Sequence, residues 1–209
     1  MDLSFLIKGF LLGLSIAAPV GPIGVLCIRR SLHQGMPVGF ATGLGAATAD
    51  AFYGAIAAFG LTLISGALLT MSFPLQISGG FVLWYLGVKA FRTPPAPEQG
   101  NAPPVELWKA YFLTIFLTLA NPATIIAFIA TFVGLGLGSK AANYTSATHM
   151  TLGVFLGSAA WWLVLSGLIG LARVRMTPKL KRTIDQLSGV TLILFGLYAI
   201  YRAFTAPGS

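Results

Sequence analysis

Charged residues are scarce in this chain of 209 residues. Asp, Glu, Lys and Arg together make up 9% of the chain, whereas soluble proteins carry about 25%. Hydrophobic residues make up 56%, and the mean hydropathy is +0.84. These values exclude a water-soluble domain, and so much apolar side chain also excludes intrinsic disorder. The composition therefore predicts an all-α integral membrane protein.

Cysteine and histidine are also rare. A single cysteine, Cys27, excludes an internal disulfide and a CxxC redox pair, and His33 and His149 cannot form a multi-histidine metal site. The chain also lacks a glycine-rich phosphate loop and a nucleophile elbow. We therefore expect neither an enzyme nor an electron carrier, and no cofactor or bound metal.

Apolar runs predict six transmembrane helices, at about 3–28, 38–66, 75–91, 107–135, 148–171 and 184–204. The first run could be read as a signal peptide, but no soluble domain follows it, so we interpret it as a span. A proline-rich segment at 93–106 is predicted to be a linker between two parts, 1–92 and 107–209.

The two parts resemble each other. Gln-x-Ser-Gly begins at residue 76 in the third predicted span and at residue 186 in the sixth, and the first and fourth spans both contain proline. Three spans in each half require that the halves be inverted in the membrane. The sequence thus predicts two inverted three-helix repeats with broken helices 1 and 4, a common transporter design that moves by rocking one repeat against the other.

Basic residues are distributed unevenly between alternate loops. Ten Lys or Arg residues fall on one side and three on the other. The positive-inside rule then places the linker in the cytoplasm and both termini in the periplasm of a multi-pass protein of the bacterial inner membrane. Because orientation explains the net charge of +8, we expect no nucleic-acid partner.

Asp50 is the one acidic residue that falls well inside a predicted span. An ionisable group there is costly and is a functional candidate by default. It is a candidate to bind a substrate ammonium group or a coupling proton, with Thr48 beside it in sequence. The alternative is a structural aspartate that bonds to Thr48, to Tyr53 or to backbone groups exposed by the break in the first helix.

Two proline positions predict breaks in the broken helices. Pro19, Gly21 and Pro22 interrupt the first span, and Asn121 and Pro122 interrupt the fourth. A break can offer free carbonyl groups and a helix N-terminus to a zwitterion, and Asn121 adds an amide that can bind substrate. The alternative at both places is a kink that serves packing alone.

Residues 13–54 and 116–132 resemble the lysine exporter (LysE/RhtB) translocator family. The family pattern is a Pro-Gly-Pro-like break, a basic turn, a glycine-spaced helix start and a single intramembrane Asp. Pro19, Gly21, Pro22 and Asp50 fall on those positions, and residues 116–132 match the Asn-Pro segment. The chain departs from the pattern in its Pro-Val-Gly-Pro break and in Ala123, where many relatives carry Lys.

The resemblance implies a secondary active transporter that exports amino acids, or similar small ammonium-bearing metabolites, by proton antiport. Export and antiport follow from the resemblance alone. The expected partners are the amino acid, the proton and the lipid bilayer, and a homodimer is compatible with this interpretation. The alternatives are a metal-ion or inorganic-ion exporter and a non-transporting membrane scaffold.

Overall fold

The computed structural model describes residues 3–19, 21–59, 72–92, 106–121, 124, 128 and 144–205. Within these ranges the chain forms seven α-helices and no strand. In chain order they are α1 (Leu3–Ala17), α2 (Pro22–Gln34), α3 (Met36–Ala58), α4 (Ser72–Arg92), α5 (Leu107–Leu119), α6 (Tyr144–Ala172) and α7 (Pro178–Thr205).

The first predicted span is broken where its prolines lie. α1 ends at Ala17, and α2 begins at Pro22 with its axis turned by 79°. Gly21 precedes α2 in an extended conformation, and Pro22 occupies the first helical position. Proline suits that position because the first N–H groups of a helix have no partner within the helix. Pro22 therefore starts a new helix instead of interrupting one.

The basic residues between the first and second predicted spans are helical, although the sequence places them in a loop. α2 continues through Arg29, Arg30 and His33 to Gln34. It stops at Gly35, whose φ of +93° lies in the region that favours glycine, and α3 starts at the next residue. Three basic side chains are thus held on a rigid helix end.

The remaining predicted spans agree with helices over the described residues. α3, α4, α6 and α7 cover most of the second, third, fifth and sixth predictions, although α7 begins six residues before the predicted start of its span. α5 covers the start of the fourth span and ends two residues before Asn121. The linker from 93 to 105, Pro122 and most of the fourth span after it lie outside the described residues.

Two of the described helices, α6 and α7, are long and apolar enough to cross a membrane alone. The bent pair of α1 and α2 makes a third crossing if it is counted as one span. Large apolar side chains such as Leu168, Leu171 and Leu194 point outward, whereas the interior contains many small residues. This distribution suits a helix bundle surrounded by lipid, where small residues mediate helix contacts.

Glycine residues bring two pairs of helices into backbone contact. α1 packs against α6 with Gly9 facing Gly153, and a Cβ on either glycine would meet the backbone of the other helix. α4 packs against α7 in the same manner, with Gly80 facing Gly196. α3 lies between α5 and α6 and also contacts α2. Small residues therefore determine which helices touch.

Candidate functional site

Asp50 lies on α3 where this helix packs against α6, and it is 3% exposed. Ser158 on α6 donates a hydrogen bond from Oγ to Asp50 Oδ2 at 2.7 Å. Trp162, one turn further along α6, donates from Nε1 to Ser158 Oγ at 3.1 Å. In the described part of the chain, no Lys, Arg or His forms an ion pair with Asp50. The carboxylate is thus buried beside a neutral hydroxyl.

Small residues on α3 allow α6 to approach this closely. Ala46, Ala47 and Ala49 are almost fully buried near Asp50. At Gly43 the Trp162 side chain occupies the space that a Cβ would take. The missing side chain at Gly43 therefore leaves room for the Trp162 side chain, whose N–H reaches Ser158.

Tyr53 connects the neighbourhood of Asp50 to the end of α5. It follows Asp50 by three residues on α3, and its hydroxyl donates to the Leu119 carbonyl at 2.7 Å. Carbonyl groups in the last turn of a helix lack partners within that helix, so Tyr53 satisfies one of them. The same ring packs against Phe128 with centroids 5.6 Å apart. One hydrogen bond therefore joins the Asp50 face of α3 to the break that precedes Asn121.

Thr48 points elsewhere. Its hydroxyl donates to Leu44 O at 2.9 Å and also lies 2.9 Å from the Tyr111 hydroxyl on α5. Two residues along an α-helix correspond to a rotation of about 200°, so Thr48 and Asp50 lie on different faces of α3. The hydrogen bond to Asp50 comes from Ser158, and neither Thr48 nor Tyr53 provides it.

The two helix breaks meet at a small cleft. Pro22 at the start of α2 and Asn121 after α5 both line it. The remaining lining residues come from α4, α7 and α5 with its C-cap residue Ala120: Gly79, Leu83, Leu117, Ala120, Phe195, Tyr198 and Ala199. The cleft contains about 330 Å³ between atoms, part of it open, but it has room for about one water molecule. Of the other break residues, Pro19 is exposed and Gly21 is half-buried.

A second buried carboxylate lies near the other end of α2. Asp185 is 4% exposed on α7, and its Oδ1 lies 3.0 Å from Arg29 Nε and 2.8 Å from His33 Nε2. The sixth span predicted from the sequence begins at 184 and puts Asp185 at its edge, whereas α7 begins at Pro178 and carries Asp185 inside the helix. Asp185 thus fastens α2 to α7 with two basic partners.

Arg30 is buried at the same helix end but faces α3 and α5 instead of α7. Its Nη1 donates to Thr42 Oγ1 at 2.8 Å, and at longer distances to Ala110 O and Thr114 Oγ1. The positive-inside argument counted Arg30 as a loop residue, whereas it lies between α2, α3 and α5. The described chain contains no group of three His, Cys, Asp or Glu residues that could hold a metal ion.

Ser158, the hydrogen-bond partner of Asp50, is not among the residues predicted from the sequence. The available signal was its position after Gly157 and one turn before Trp162, because a serine beside a helix-packing glycine lies at a helix contact. Nothing local linked that serine to Asp50, 108 residues away.

Comparisons with known proteins agree with the resemblance found in the sequence. The profile of the LysE type translocator family matches residues 14–203. A Bacillus subtilis (strain 168) protein named "Putative amino acid efflux protein YcgF" is 28% identical over 194 residues, covering 91% of this chain and 92% of the relative. The "Uncharacterized membrane protein YahN" of Escherichia coli (strain K12) is 30% identical over 186 residues, covering 85% and 81%. No solved structure matches the chain.

Proposed function

The chain belongs to the LysE type translocator family, and from this membership we propose that it exports amino acids, or similar small ammonium-bearing metabolites, by proton antiport. The family profile covers most of the chain, and the efflux name of the Bacillus relative supports amino acids as substrates. We further propose the bacterial inner membrane as its location, with both termini in the periplasm.

The contrast between the two buried carboxylates is the observation that carries the proposal. Asp185 contacts Arg29 and His33, so its charge is compensated within the protein. Asp50 contacts the Ser158 hydroxyl and, in the described residues, no cation. A buried carboxylate without a cation is costly unless it serves a function. An incoming ammonium group or proton would supply the missing positive charge.

The helix breaks supply the other half of a site for a zwitterion. Pro22 and Asn121 line one cleft, and a helix N-terminus such as that of α2 favours a carboxylate. Tyr53 joins this region to the face of α3 that carries Asp50. Pro122 remains in the proposed site through its sequence position, whereas the Thr48 hydroxyl is directed toward Tyr111, and we propose no direct contact of Thr48 with substrate. Because the cleft holds about one water molecule, a substrate enters only when helices move.

The pattern of helix contacts supports the proposed inverted repeats, with α1 to α4 in the first and α5 to α7 in the second. α3 packs on α6, and α4 packs on α7, so proposed equivalents pair with each other. The contact of α1 with α6 has its counterpart in the contact of α5 with α3. A two-fold axis between two repeats produces this reciprocity.

Counterflow in proteoliposomes tests the proposal. Purified protein is reconstituted, and uptake of a panel of radiolabelled amino acids is measured against an internal unlabelled pool, with and without a pH gradient. We expect saturable counterflow that Asp50→Asn abolishes. The matched control is Glu106→Gln, which removes an exposed carboxylate that pairs with Lys109 at 3.3 Å and leaves counterflow unchanged.

Other outcomes separate the parts of the proposal. If Asp50→Asn loses only the response to the pH gradient, Asp50 carries the proton and does not hold the substrate. If folded wild-type protein shows no counterflow of any amino acid, the proposed substrate class is wrong. Transport of an inorganic ion, or of nothing at all, would then favour the ion exporter or the scaffold.

A further inference from the structure

Ser158 makes an unusual hydrogen bond for a hydroxyl on these helices. A Ser or Thr hydroxyl inside a helix can bond to the carbonyl four residues earlier. Four buried or half-buried side chains do so here: Thr42, Thr48, Thr114 and Ser166. Ser158 instead directs its hydroxyl across to another helix, where it meets Asp50. It gives up the local bond in order to contact the carboxylate.

Trp162 fixes the direction of this hydrogen bond. An indole N–H can only donate, so Ser158 Oγ must accept from Trp162. The hydroxyl proton of Ser158 is then directed to Asp50 Oδ2 at 2.7 Å. Ser158 is 0% exposed and Trp162 is 4% exposed, so water does not compete for either bond.

The surrounding backbone holds the two hydrogen bonds from Trp162 to Ser158 and from Ser158 to Asp50, here called the relay, in place. Gly157, next to Ser158, packs against the backbone of Phe10 on α1. Gly43 on α3 leaves the space that the Trp162 side chain fills. Neither α6 residue can shift without moving a neighbouring helix, so the Asp50 carboxylate meets its donor in a defined orientation.

We propose that Ser158, itself oriented by Trp162, is a positioning residue that holds the Asp50 carboxylate ready for the ammonium group of the substrate. This inference rests on the proposed function of Asp50 as the acidic binding group. Ser158 occupies Oδ2 and leaves the second carboxylate oxygen to the incoming cation. The relay therefore sets substrate affinity, while Trp162 acts on Asp50 only through Ser158.

The test measures KM and maximal rate of amino-acid counterflow for Ser158→Ala, Trp162→Phe and the double variant. Ser166→Ala is the matched control, because Ser166 is equally buried on α6 but donates to its own helix, at Trp162 O. Losing a hydrogen bond to a charged group is expected to raise KM for Ser158→Ala by about tenfold or more. Trp162→Phe raises KM by a smaller factor, and Ser166→Ala leaves KM unchanged.

Non-additivity distinguishes positioning from a loss of packing. Once the Ser158 hydroxyl is gone, Trp162→Phe has no further route to Asp50, so the double variant keeps the KM of Ser158→Ala. Thermal unfolding checks that the variants fold, and Ser158→Ala is expected to melt below Ser166→Ala because it leaves the Asp50 carboxylate and the Trp162 N–H without their partner. Effects that add in the double variant would overturn the role assigned to Trp162.

The remaining outcomes are equally decisive. A KM within about twofold of wild type for folded Ser158→Ala overturns the positioning role while leaving the proposed transport intact. If Ser158→Ala does not fold, Trp162→Phe decides alone: a raised KM at wild-type thermal stability supports the relay, and an unchanged KM overturns it. If wild-type protein shows no amino-acid counterflow, the proposed function fails and this inference falls with it.

Discussion

Replacing each buried aspartate by asparagine is expected to have opposite effects on stability. Asp185→Asn leaves Arg29 and His33 without their carboxylate, and breaking a buried ion pair costs about 3–5 kcal/mol. The Arg29 and His33 side chains keep 18% and 19% exposure, so hydration reduces the expected loss to about 2–3 kcal/mol. For a chain of this size the melting temperature should then fall by about 4–12 °C.

Asp50→Asn should leave the melting temperature unchanged or raise it. The asparagine oxygen can still accept the hydrogen bond from Ser158, and the buried negative charge disappears. The same substitution is expected to abolish transport, so Asp50 would be a group that costs stability and supplies function.

Thermal unfolding of detergent-solubilised protein, followed by size-exclusion chromatography of heated samples, measures both effects. Glu106→Gln serves as the control, because its exposed pair with Lys109 is worth well under about 1 kcal/mol. Equal losses for the two aspartate variants would refute the distinction between a compensated and an uncompensated carboxylate. An unchanged midpoint for Asp185→Asn would refute the stabilising role of its two contacts.

Two further predictions follow from helix packing. Gly153→Ala should reduce the yield of folded protein, because its Cβ would meet the backbone of α1. Gly167→Ala should be neutral or slightly stabilising, because its Cβ meets only the end of Met36 at 3.9 Å. The yield and the melting temperature of the two variants test this prediction. Thr48→Val should raise the KM of counterflow by no more than about threefold, because its hydroxyl already bonds to Leu44 and Tyr111; a loss as large as that of Asp50→Asn would show that Thr48 binds substrate directly.

Local chemistry was enough to predict the break between α1 and α2 and the end of α5 near Asn121. Pro22 lacks an N–H and suits the first position of a helix, and Pro122 leaves the Thr118 carbonyl without its usual donor, so α5 ends close by. These are properties of a few consecutive residues. The same holds for the apolar runs that became α6 and α7.

The partners of the two aspartates could not be predicted in this manner. Ser158 lies 108 residues from Asp50, and Asp185 lies 156 residues from Arg29. Which faces meet depends on how far each helix is rotated, and that is decided by glycine contacts across the bundle. Asp185 also lies just after a basic stretch, whose composition suggested a loop although the helix had already begun.

The glycine contact between α4 and α7 has a mechanical consequence. Where backbones touch, no layer of side chains remains that could rearrange, so the two helices are expected to travel as one rigid body. The cleft is lined by α4 and α7 together with α2 and α5, so we expect it to widen when the α4–α7 pair tilts away from the other two helices. The ion pair between Asp185 on α7 and Arg29 on α2 joins these two helices beside the cleft residues of both. The moving unit would thus combine one helix from each half of the sequence. The boundary between moving and stationary helices would then lie at the cleft instead of at the linker between the two halves.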